Sequence, residues 1–136
     1  MRLLALLACA AGCWTSCSST QHKQTAEAAV QAFHTQLDAE RYAEIHRGAH
    51  EDFRKSAREG EITEFLAAIH RKLGNVQSSS QEGWQVFVTT SGTRVHLNYK
   101  TQFANGPATE RFTWMIVDGR ATLLGYNIDS RLLIVN

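Results

Sequence analysis

Cysteine is missing from residues 18–136; the three in the chain fall at positions 9, 13 and 17. A small exported domain often leans on disulfides, and the globular part of this one has no pair to form them. A surplus of one charge is also lacking, since 14 basic and 13 acidic side chains leave +1. Arg41, Arg47, Arg54 and Arg58 alternate with Glu40, Glu44, Glu51 and Glu59, the pattern of a solvated helix surface. Nucleic acid binding therefore has no electrostatic footprint here. Long apolar runs are absent as well. The longest covers about 11 residues, well short of the roughly 20 that span a bilayer.

What is present begins at the first residues. Arg2 is followed by Leu3-Leu4-Ala5-Leu6-Leu7-Ala8, then by Ala10-Ala11-Gly12-Cys13. One charge, a short apolar core and small residues form the grammar of an export signal. Ala10-Ala11-Gly12-Cys13 resembles the lipobox of bacterial lipoproteins, which are cut before an acylated cysteine; Leu is more usual where Ala10 stands. Cys13 is the expected attachment site. Cys9 is second, with a signal too short to cross a bilayer, and Cys17 third, because Trp14 stands where Leu belongs. An ordinary cleaved signal, or a start codon assigned too far downstream, is the alternative. Metal binding at the three cysteines is not expected, because Leu, Ala and Ser surround them without His or carboxylate. Resemblance to Gram-negative lipoproteins implies the outer membrane, since Trp14 rather than Asp follows Cys13. The expected divisions are a signal over 1–12, a polar tether over 13–24 and one domain over 25–136, a size sufficient for a single core.

The domain reads as helices first, strands after. Thr25 suits an N-cap, and Ala26, Ala29, Val30, Phe33 and Leu37 recur at helical spacing, so a first helix is expected over 25–38. Asp38 can cap a second carrying Tyr42, Ile45, Ala49 and Phe53, weakened by Gly48. Ile62, Phe65, Leu66, Ile69 and Leu73 mark a third, closed by Gly74. From Val76 the period becomes two. Gln77–Gln81 reads as a polar or edge strand, followed by Trp84–Thr90, a turn at Ser91-Gly92, and Arg94–Phe103. Asn105-Gly106 is a hairpin signal, with Pro107 expected to block continuation. Thr109–Val117 and Arg120–Asp129 pair across Asp118-Gly119. This order predicts an α+β fold, about three N-terminal helices on a curved antiparallel sheet of four to five strands.

Several segments together carry a resemblance: Leu37-Asp38 with Tyr42-Ala43, Phe65 through Leu73-Gly74-Asn75-Val76, and Thr101-Gln102-Phe103-Ala104-Asn105. Thr109-Glu110-Arg111-Phe112-Thr113 and Asp118-Gly119-Arg120 through Gly125-Tyr126-Asn127-Ile128 complete it. The chain resembles the small exported bacterial proteins of domain of unknown function family 4019, and more broadly the NTF2-like, or SnoaL-like, cone fold. It departs from the family at Ala121 and Thr122, where Trp usually follows the turn, and in the apolar tail Leu132-Leu133-Ile134-Val135. The resemblance implies a fold and an export habit, and no reaction.

Candidate chemistry is sparse. His46 and His50 lie four apart beside Glu51, but lack a third ligand, and Arg47 between them repels a cation; a solvated face is the plainer reading. Asp38 reads as a cap, Asp118 as a turn residue and Asp129 as a strand end. His96 points away from Val95 and Leu97. Phe87, Tyr99, Phe112, Trp114 and Tyr126 either line a concave pocket for a small apolar ligand or fill an ordinary core. The tail either extends the last strand or, like the sheet face, offers a homodimer contact. No catalytic residue and no cofactor are expected. The functional expectation is a membrane-anchored, periplasm-facing lipoprotein whose domain is a non-catalytic binding or assembly module. A cone-fold enzyme of isomerase or dehydratase type, or a purely structural envelope protein, is the alternative.

Overall fold

The computed structural model describes residues 17–135, so the expected signal, Cys9 and Cys13 lie outside the described residues, as does the side chain of Cys17. Four helices come first: α1 Cys17–Asp38, α2 Tyr42–Arg47, α3 Glu51–Ser56 and α4 Glu59–Leu73. Four strands follow, β1 Val76–Thr89, β2 Gly92–Phe103, β3 Gly106–Val117 and β4 Arg120–Asp129, and then a short α5, Arg131–Ile134. The strands form an antiparallel meander in the order β1-β2-β3-β4. The sheet is curved and unclosed, with the helices packed on it in a cone-like arrangement. The α+β expectation holds.

Ala26, Val30, Phe33 and Leu37 form the buried stripe of α1 that their spacing predicts. The helix nevertheless already includes Cys17, the first described residue, so residues 17–24, expected within a polar tether, are helical. Their lack of apolar period reflects exposure, and once the packed part is helical each added residue gains a hydrogen bond without a new nucleus. Thr25, expected as the N-cap, is inside the helix and donates Oγ1 to the Gln21 carbonyl at 2.9 Å. Lys23 and Glu27 pair at 3.1 Å one turn apart.

The expected second helix is two helices. Gly48 closes α2, and the His50 ring opens α3 by accepting from the Asp52 amide at 3.2 Å. The His50 amide donates to the Leu123 carbonyl at 2.8 Å and ties this corner to β4. Asp38 does not cap it. Its carboxylate accepts from the Val76 amide at 3.1 Å and fixes the start of β1 beside the end of α1. The third expected helix is α4, which ends at Gly74 with φ 77° and ψ −164°. That conformation is essentially restricted to glycine.

The two strands expected over 77–90 are one 14-residue edge strand with a register shift between Gln81 and Gly83. A bulge lets a strand bend without breaking. Pro107 does not stop β3: it pairs in register with Gln102, ahead of the β3–β4 ladder that begins at Thr109. The turn is Ala104-Asn105, because Phe103 pairs with Gly106. Asp118-Gly119 is a primed hairpin as expected, with φ of 51° and 73°. The tail leaves the sheet. Ser130 Oγ accepts from the Leu132 amide and donates to the Pro107 carbonyl, and Leu133 packs on the core. It therefore does not extend β4.

The core lies between the helices and one sheet face, joining Val30, Phe33, Leu66 and Ile69 to Val95, Leu97, Phe112 and Leu123. Among the described residues no helix is long and apolar enough to cross a membrane.

Candidate functional site

Strand alternation on β3 sends Ala108, Glu110, Phe112 and Trp114 toward the helices. Glu110 is thereby carried into the core, with 0% of its surface exposed. An ionised carboxylate in such a place must be met by donors. Three meet it. His34 of α1 lies with Nε2 2.8 Å from Oε1, Thr101 of β2 donates to Oε1 at 2.6 Å, and Tyr126 of β4 donates to Oε2 at 2.6 Å. Because the carboxylate accepts, Nε2 of His34 carries the proton. Its Nδ1 is buried without a partner.

Burial, then the charge of Glu110 and its hydrogen bond, push the Tyr126 hydroxyl well above its ordinary range. Tyr99, opposite Glu110 on β2, is pushed up to about 12, by burial first and then by Glu27 and Glu110. Both phenols are held protonated. Both oxygens of the buried carboxylate have partners, and through them it ties α1 to three strands.

Access to it is poor. A cleft of about 190 Å³ between α1, α2 and the sheet is lined by Ala29, Ala32, Phe33, Gln36, Glu44, Ile45, Gly48, Trp114 and Leu123. Phe33, Ile45 and Leu123 also wall an apolar cavity of about 40 Å³ that touches Tyr126. Ligand pockets usually enclose about 300–1,000 Å³, and this cavity is far below that size. Trp114 is 5% exposed, and its indole Nε1, a donor only, has no partner.

Four of the five expected pocket aromatics meet. Phe112 packs at 6.0 Å from Tyr99, 6.0 Å from Trp114 and 5.1 Å from Tyr126. They pack beneath Phe33, which is 5.2 Å from Phe112; of the four, Trp114 also lines the cleft of about 190 Å³ and Tyr126 the cavity of about 40 Å³. Phe87 does not join them. It is paired with Arg94 on the other face of the sheet, 48% exposed, with its ring 5.4 Å from His96. His96 also faces outward, within hydrogen-bond distance of Thr113 at 3.0 Å. His46 and His50 separate. His46 is buried, not on a solvated face, and its Nε2 donates to the Ala57 carbonyl at 2.8 Å. Among the described residues no group of three His, Cys, Asp or Glu could hold a metal ion.

Glu110 and His34 are what the sequence reading missed. A usable signal existed: Glu110 keeps step with Ala108, Phe112 and Trp114 at period two, and His34 stands four after Val30 on the buried stripe of α1.

A family model described as protein of unknown function, DUF4019, matches residues 28–126, and the chain belongs to that family. No curated protein matches the sequence.

Proposed function

Taking membership of the DUF4019 family as the premise, we propose that the protein is a lipid-anchored envelope protein of a bacterium. Its domain is a non-catalytic binding or assembly module facing the periplasm, most simply from the outer membrane. The observation that carries the non-catalytic part is the sealing of Glu110. Both carboxylate oxygens are taken by His34, Thr101 and Tyr126, and the neighbouring cavity of about 40 Å³ is far below the size of a ligand pocket. This buried grouping therefore stabilises the fold. The anchor is supported by Ala10-Ala11-Gly12-Cys13 behind an apolar run led by Arg2. Exposed Leu132, Ile134 and Val135 at 37%, 78% and 62% offer a contact for a partner or a second copy. Mass spectrometry of the mature amino end tests the anchor: an acylated Cys13 is expected, and a chain starting at Met1 overturns it.

A second reading, a small isomerase or dehydratase, draws on the same Glu110, His34 and Tyr126. It requires the apolar cavity to open toward Tyr126. Soaking with small apolar ligands and following the Tyr126 resonances tests it; unshifted resonances remove it.

A further inference from the structure

We infer that the hairpin end of the sheet, carrying Trp84, Phe87, Val88 and Val117, docks on the phospholipid bilayer that holds the anchor. This rests on the lipid attachment proposed above. The first observation is direction. At one end of α1, Asp38 binds the Val76 amide at 3.1 Å; farther back, Lys23 Nζ lies 5.3 Å from the Trp84 ring. The helix therefore runs antiparallel to β1. From Lys23 back to Cys17 it travels roughly 9 Å, while β1 travels roughly 13 Å from Trp84 to Val88. The start of α1 and the tip of the β1–β2 hairpin thus lie at the same end of the molecule.

The second observation is chain length. With Cys17 already within α1, only four Cα steps, at most about 15 Å, separate that residue from Cys13. No long tether holds the domain away. Attachment at Cys17 would bring it closer still, and the hairpin end faces the bilayer in either case.

The third is what that end displays. Trp84 and Phe87 are 46% and 48% exposed, Val88 is 84% and Val117 is 46%. Exposed apolar groups gathered at one end mark an interaction surface, and an indole half in water is the side chain favoured at a membrane interface. Exposed Arg94 and Arg120 pair in register with Phe87 and Val117. They give this end cations for anionic headgroups. One acyl anchor and one apolar-basic patch together form the two-signal arrangement that stable membrane attachment uses.

The test uses the mature full chain, extracted and reconstituted into phosphatidylethanolamine–phosphatidylglycerol vesicles with brominated acyl chains. Its amino end is first read by mass spectrometry. With acylation confirmed, and in a Trp14→Phe parent chain so that the indole beside Cys13 does not report, bromolipid quenches the tryptophan emission, and Trp84→Phe loses most of that quenching while melting unchanged. Val88→Glu keeps Trp84 and lowers its quenching in the same direction. Equal quenching in the parent chain and both variants overturns the docking and leaves the anchor standing. A β1-mediated dimer in detergent that Val88→Glu dissolves, with no Trp84 quenching, overturns it in favour of a second copy. An amino end without acyl groups overturns the anchor and the docking together.

Discussion

Tyr126 reaches from β4 and donates its hydroxyl to Oε2 of Glu110 on β3 at 2.6 Å, under the cover of α1. The bond joins two strands through a carboxylate that water does not touch. Removing either partner leaves the other buried and unmatched, whereas replacing the set with apolar groups can be nearly neutral.

Glu110→Gln is therefore expected to destabilise the domain by about 2–4 kcal/mol, since an amide must present a donor where three donors already converge. Glu110→Leu alone should cost at least as much. Combining it with His34→Leu and Thr101→Val should recover part of the loss. Urea unfolding checks this, and strict additivity of the three changes would sink the idea of a coupled network.

All three tyrosines have hydroxyls held above their ordinary value of 10.0, Tyr42 through burial and the nearby Glu40. The native fold favours the protonated phenol, so this stabilisation is complete below pH 10 and is lost as pH climbs through the native values, about 12 for Tyr99. Tyrosinate absorbance of the folded protein should stay low at pH 10 and rise with unfolding. A normal titration there would contradict the burial.

Gly74 and Gly119 both have positive φ, 77° and 73°. A Cβ at Gly74 would meet the Ala104 Cβ at 2.9 Å, while at Gly119 it meets nothing within 4 Å. Gly74→Ala should cost about 2–3 kcal/mol and Gly119→Ala about 1 kcal/mol. Thermal melts that rank them the other way would refute the close approach of the α4 end to the β2–β3 turn.

Arg47 and Glu59 form a bidentate pair, 3.1 and 3.0 Å, on the exposed side of the helices. Arg47→Ala is expected to leave stability essentially unchanged, because exposed pairs are screened and lose side-chain entropy. A clear loss in chemical denaturation would show a hidden role.

How much could be read in advance depended on how local each cause was. The α4 helix and the Asp118-Gly119 turn follow from neighbours a few residues away, and both came out as read, save that Phe65 of the α4 stripe is 44% exposed. The split of the second helix needed His50 to find the Leu123 carbonyl, 73 residues on. The continuity of β1 needed β2 to hold both halves across the shift at Gln81 and Gly83. Phe87 looked like the other strand aromatics, but its register opposite Arg94 turns it away from them.

From the residues alone came the order of helices before strands, the two later hairpins, the absence of a basic face and the export-like amino end. Each rests on periodicity, turn chemistry or composition, which neighbouring residues settle among themselves. The burial of Glu110 did not come that way. Its fate depended on His34, 76 positions away, arriving with Thr101 and Tyr126 at one point, and only the packing of α1 on the curved sheet brings those donors together. Which end of the sheet lies beside Cys17 was likewise decided in three dimensions, by the antiparallel course of α1 along β1.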